Sequence, residues 1–228
     1  MSEQATCDLS NVTIKNGKHT TREEGMCVME AVAFAANEPH SDHPQCACPA
    51  LGAYARRLND AYWLGGDDER TKALRPAIMA LVGSRSTDEV YWRRGFFFAD
   101  CAVRELAPLA LESRADRRER WKQPEAAALL REVALKLRAV PEIVDKASAL
   151  AAMNVALGLR DDLRKRRDEA WRRYAAAAAA DADAAAADAR LRILRRAAEI
   201  LVEATRITSA PSAAVAGDQK PETSGGSA

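Results

Sequence analysis

A chain of 228 residues, 48% of them hydrophobic, is long enough for one large domain or two small ones and can bury its core without cross-links. Its 34 basic and 33 acidic residues leave a formal net charge of +1, which excludes a global field that would draw in nucleic acid or an anionic membrane. The opening MSEQATCDLS lacks the basic and apolar regions of a secretion signal, and no stretch of about 18 uncharged apolar residues follows.

The expected compartment is therefore the cytoplasm. Thiols stay reduced there, and five cysteines, an odd number, read as buried, metal-bound or reactive rather than bridged.

The fold class read from the sequence is mostly α, with a short N-terminal β-hairpin and a long alanine-rich C-terminal helix. Asn16-Gly17 stands between Val12-Thr13-Ile14 and Lys18-His19-Thr20, the short-range signal for a two-residue hairpin turn. From Thr21 the periodicity is helical. Thr21 and Glu24 have capping-box spacing, so a first helix is expected to begin within 21–26 and to end near Asn37-Glu38-Pro39.

Pro49 suits the first position of a second helix, PALGAYARRLNDAYW, stopped by Gly65-Gly66. A third follows in DDERTKALRPAIMALVG, kinked at Pro76. Ser86-Thr87-Asp88-Glu89 opens a long helix through VYWRRGFFFADCAVRELAPLALES, and further helices are expected at 125–138 and 142–160.

Residues 160–206 read as one long helix, because alanine is the strongest helix former, with Leu191, Leu194, Ala198 and Leu201 making one face to bury. The tail from Ser209 has no apolar pattern and reads as disordered. The expected organisation is a hairpin segment at 1–20, a Cys/His-bearing helical core at 21–83, a helical region at 84–206 and a tail at 207–228. Trp63, Tyr91, Trp92 and Phe96 to Phe98 read as core, and Tyr62 as a helix-end contact.

The chemistry gathers in GMCVMEAVAFAANEPHSDHPQCACP, residues 25–49, which holds His40, His43, Cys27, Cys46 and Cys48, with His19 six positions before it. Between Met26 and Ala36 the sole polar residue is Glu30. A helix that apolar is buried, and an ionised carboxylate inside it needs a partner, a metal or a proton.

Imidazole nitrogen and thiolate sulfur are the donors zinc prefers, and Cys27 with His43, Cys46 and either His40 or Cys48 would complete a tetrahedron. Glu30 or Asp42 would then steady a ligating imidazole. A structural zinc would make the protein an adaptor, with the alanine-rich helix as its partner surface. An open coordination position would acidify a water, with Glu30 as general base for hydrolysis.

Other readings use the same residues. Cys27 at a helix start, with a loop histidine as base and Asp42 orienting it, would make a metal-free cysteine enzyme. Zinc-deaminase chemistry does not fit, because the helix carries C-x-x-E and the loop P-Q-C-A-C. The plain alternative is packing, with Cys27 and Cys101 as small core residues and Glu30 capping a neighbouring helix. The arginines of 113–122 and 159–173 are interleaved with acids, which favours a solvated, ion-paired face over a nucleic-acid stripe.

GKH followed by EGMCVMEAVAF, then NEPHSDHPQCACP and AYARRLND, resembles a family of proteins without an assigned activity found in actinobacterial genomes and in phages of those hosts. VRELAPLALE and VPEIVDKASA echo it more weakly. The resemblance covers most of the chain and is most specific over 17–60. It implies a phage or mobile-element association and marks the opening block as the business end, and it carries no catalytic residue over.

Overall fold

The computed structural model describes residues 9, 11–174 and 183–207. The chain runs through α1 (Val28–Ala35), α2 (Pro49–Asn59), α3 (Gly66–Leu81) and α4 (Asp88–Cys101). A π-helical turn (Ala102–Leu106) leads into α5 (Ala107–Arg120), followed by α6 (Pro124–Arg138), α7 (Lys146–Tyr174) and α8 (Asp183–Thr205). Among the described residues no helix is long and apolar enough to cross a membrane.

The mostly helical fold is as read from the sequence, but the N-terminal β-hairpin does not form. Among the described residues the sole bridge joins Ile14 to Met26 in parallel. The chain does bend at Asn16-Gly17, where Gly17 has φ 81. Beyond the bend, side chains rather than a second strand satisfy the backbone. Thr71 Oγ1 accepts the Ile14 N–H at 2.8 Å, Asp60 Oδ1 accepts that of Gly17 at 3.0 Å, and Asn59 Nδ2 donates to the Lys15 carbonyl at 3.0 Å. Every buried amide needs a partner, and here the neighbouring helices supply it.

Helix α1 starts later than its Thr21 signal suggested. Glu24 is drawn back to accept the Thr20 N–H at 2.9 Å, and Gly25, at φ 136, turns the chain so that the Met26 carbonyl meets the Lys15 N–H at 2.8 Å. A side chain is strained at that φ. Cys27 is then the N-cap and Glu30 completes a capping box with it. Asn37 ends the region in the left-handed conformation, φ 55.

Pro49 does open α2, which stops at Asn59, short of Trp63; the indole returns to donate to the Leu58 carbonyl at 3.0 Å and is buried. Thr87 caps α4 by accepting the Val90 N–H. Pro108 lacks an N–H and crowds the preceding turn of any α-helix that contains it. The π turn immediately before it widens the backbone, and the helix continues through to Arg120.

Ile14, Val28, Val32, Leu51, Leu74 and Ile78 form the centre of the main core, and α8 closes it with Ala197, Ala198, Leu201 and Ala204. Leu191 and Leu194 pack against that core partly buried, so the face read on α8 points inward. Arg94, 3% exposed, ties the end of α8 down by donating to the Thr205 carbonyl at 3.4 Å and to the Ser84 carbonyl at 2.5 Å.

A smaller cluster of Val140, Ile143 and Ala152 joins α7 to Phe96, Ala99 and Val103. Trp92 is 59% exposed and Tyr62 65%, so neither belongs to the core; the Arg190 guanidinium sits 5.4 Å from the Tyr62 ring centroid. Of the span 160–206 read as one helix, the described residues hold the end of α7 and the whole of α8, and the alanine run at 175–182 between them and the tail from 208 lie outside the described residues.

Thr71→Val keeps the side-chain volume but leaves the buried Ile14 N–H without its acceptor. The expected cost is about 1–3 kcal/mol in urea unfolding. An unchanged midpoint would mean that Thr71 does not fasten the N-terminal segment.

Candidate functional site

Glu30 projects from the first turn of α1 and has no solvent contact. Its Oε1 accepts the His19 N–H at 2.7 Å, and its Oε2 accepts the Cys27 N–H at 2.7 Å and the His19 Nδ1–H at 2.9 Å. His40 stands beyond, its Nε2 3.8 Å from Oε1 and donating to the His19 carbonyl at 3.1 Å. Burial pushes the Glu30 carboxyl up, but the amides of His19 and Cys27 and the His19 imidazole outweigh it and hold the group below its ordinary 4.5. Glu30 is therefore an ionised carboxylate that accepts three hydrogen bonds.

Cys27 caps the same turn, its Sγ accepting the Glu30 N–H at 3.4 Å. A thiol at a helix N-terminus is often acidified. Here burial pushes it up to about 12, and the neighbouring carboxylate acts in the same direction. The sulfur is 3% exposed at the residue level and protonated at neutral pH, which removes the chemistry a nucleophile requires.

The other candidate residues leave this point in two directions. Asp42 and His43 form a pair of their own, His43 Nδ1 donating to Asp42 Oδ1 at 3.0 Å on the exposed side of the loop. Lys18 lies 3.6 Å from the same oxygen and Arg56 donates to the Asp42 carbonyl at 2.9 Å.

Cys46 and Cys48 instead meet the turn between α3 and α4. The Cys48 N–H donates to Ser84 Oγ at 3.0 Å, and the Cys46 carbonyl accepts the Arg85 N–H at 2.8 Å. Burial raises the Cys46 thiol as well, and nearby Glu38 adds to the shift. Cys101 is buried at the end of α4.

A residue that sequence reasoning passed over organises the loop. Glu38 accepts the Gln45 N–H at 2.6 Å with one oxygen and the Cys46 N–H at 2.7 Å with the other, closing the segment between them. Asn59 was missed too: buried at 1% exposure, it accepts the Val28 N–H at 3.0 Å while donating to Lys15. The available signal was a polar residue on the buried face of an amphipathic helix, beside Leu58 and Ala55.

The arrangement thus gathers Cys27, Glu30, His19 and His40 and separates them from His43 and from Cys46 and Cys48. Among the described residues no group of three or more His, Cys, Asp or Glu side chains is placed to hold a metal ion. The zinc donors read from the sequence are not gathered into such a group among the described residues, and no step is assigned to a metal.

Two outcomes test this description. Glu30→Gln should destabilise the fold by about 1–3 kcal/mol, because the buried amides and imidazole lose a charged acceptor. A carboxyl whose folded pKa lies below 4.5 stabilises above that value, and the contribution is lost as pH falls through the folded pKa. The variant should therefore show a flatter fall in stability below about pH 4.5 than the parent chain; parallel acid profiles would sink the assignment. Since protein groups fasten the loop, a chelator should leave the Tm unchanged, and a drop of several degrees would reveal a bound metal.

Compared with protein-family models, with curated proteins and with solved structures, the chain finds no match in any of the three, so a functional reading rests on its own geometry.

Proposed function

We propose that the protein is a helical interaction module, and that its Cys/His block is the fastening of the fold rather than a reaction centre. The observation that carries the reading is the first half of α7. From Ala147 to Gly158 the side of the helix turned away from α4 and α6 bears Leu150, Met153, Val155 and Leu157, exposed by 48, 47, 44 and 38%. Asn154 is the one polar residue on that side over the same span. A helix apolar on all sides is ordinarily buried, and a continuous exposed apolar face marks a contact surface.

The chemistry of the N-terminal block supports the same reading by leaving little for catalysis. Glu30 has no solvent contact and both its oxygens already accept hydrogen bonds, and Cys27 is a buried neutral thiol. The arginine run on α5 is interleaved with acids that arginines of α6 pair with, and two of its own arginines lie over a tryptophan. Arg131 bridges Asp116 and Glu119, Arg138 pairs with Glu112, and Arg117 and Arg118 lie over Trp121. In this reading the adaptor role stands, and the partner surface is the apolar half of α7 in place of the alanine run.

A photo-crosslinking amino acid at Met153, in the full chain inside cells, should form a discrete adduct that disappears with Leu157→Glu. The same group at exposed Glu89 should form none. Adducts that are absent at position 153, or that survive Leu157→Glu in a folded chain, would overturn the reading.

A further inference from the structure

The three acids that open α3 are unequally used. Asp67 pairs with Arg70 of the same helix, and Glu69 is held by Arg195 of α8. Asp68 takes neither partner. It shares a helix face with Thr71, Lys72 and Arg75, and together with Pro76 and with Thr13 of the N-terminal segment these residues line an open groove of about 560 Å³. That is the size of a site for a small organic molecule.

Two cations stand in this groove without a counter-charge. Among the described residues neither Lys72 nor Arg75 makes an ion pair. Lys72 is exposed, and the acid one turn before it, Glu69, is already engaged by Arg195. Arg75 is half-buried; it donates to the Val12 carbonyl at 3.0 Å, and its Nε–H, withdrawn from water, meets no acceptor. The buried Nε of Arg104 is unpartnered too, but that guanidinium holds the Asp100 carboxylate at 3.0 Å, and Arg94 gives its terminal nitrogens to two carbonyls. Arg75 has one carbonyl and no carboxylate. A buried donor without an acceptor is rare, and a ligand that brings an acceptor satisfies it.

The wall opposite α3 is fixed before any ligand arrives. Thr71 Oγ1 accepts the Ile14 N–H at 2.8 Å and Arg75 holds the Val12 carbonyl, so Thr13 is fastened to α3 on both sides. Thr71 is 7% exposed, and its hydroxyl oxygen, already accepting, keeps its own proton to donate. A site held in this way gives up little freedom on binding.

We propose that this groove binds a small phosphate monoester that carries hydroxyl groups. Such a phosphate bears a charge of roughly −1.5 to −2 at neutral pH, which Lys72 and Arg75 together balance, and its oxygens accept charge-assisted hydrogen bonds from both. The Asp68 carboxylate repels phosphate and accepts hydrogen bonds from hydroxyls. It therefore orients the ligand, phosphate toward Arg75 and hydroxyls toward the first turn of α3. Inorganic phosphate alone would leave Asp68 and most of the groove without a contact.

Glucose 6-phosphate titrated into the full isotope-labelled chain, in a phosphate-free buffer, should produce saturable amide shifts at Thr13, Asp68, Lys72 and Arg75. Glucose should produce none, and inorganic phosphate should bind more weakly by about fivefold or more. Lys72→Met should weaken the sugar phosphate about tenfold with the Tm unchanged, because this lysine is exposed and the loss is one charge-assisted contact. Asp68→Asn should tighten inorganic phosphate and narrow the preference for the sugar phosphate.

The absence of saturable shifts at millimolar glucose 6-phosphate overturns the site, as does an affinity that Lys72→Met leaves unchanged. Shifts confined to the exposed basic run Arg164 to Arg166 overturn it as well, since they report charge attraction at another place. Equal affinity of the parent chain for inorganic phosphate and glucose 6-phosphate overturns the monoester assignment.

Discussion

An ionised carboxylate with no contact to solvent constrains the whole N-terminal third of this molecule. Removing the Glu30 charge from water costs several kcal/mol unless its oxygens are fully hydrogen-bonded. Three donors meet that demand, and two of them belong to His19, which lies outside any helix. An irregular segment is thus held against α1 by the requirement of one side chain. Burial keeps the adjacent Cys27 thiol protonated and the same negative charge adds to that, so the group that organises the block also helps to silence its most reactive member.

Polar side chains do elsewhere in this region what a sheet does in other folds. Asn59, Thr71 and Asp60 each take a backbone group of residues 14–28, and Arg70, itself buried, donates to the Asn59 carbonyl at 2.8 Å. These contacts reach across up to 57 positions of sequence. The hairpin expectation failed for that reason. Asn16-Gly17 signals a bend correctly, but a bend says nothing of what satisfies the amides after it, and here the partners lie two and three helices downstream.

The helices were legible because their signals are local: Pro49 and Thr87 mark starts, and the spacing of Leu191, Leu194, Ala198 and Leu201 marks a buried face. The need of Glu30 for a partner was legible as well, from its isolation in an apolar run. Which residue meets that need was not, since His19, His40 and His43 are equivalent in composition and differ in where Glu38 and Asp42 pull the loop. Clustering in sequence put eight metal-capable or acidic groups within residues 25–49, and the fold spread them over three places. The apolar first half of α7 misleads in the opposite sense, because in sequence it is indistinguishable from a core helix, and the structure leaves most of it in water.

That exposed face allows the energetics of association to be weighed. Fully burying a Leu, Met or Val side chain is worth about 1.5–3 kcal/mol. With 38 to 48% of each still exposed, covering the four side chains carries a gross gain of roughly 3–5 kcal/mol. The loss of translational and rotational freedom on pairing is of similar size, about 4–15 kcal/mol. The balance then falls to how closely a partner fits that face and to the apolar surface it loses from water in return. An interface poised in this way assembles and separates with concentration, whereas the core closed by Leu201 and fastened by Glu30 persists in either state.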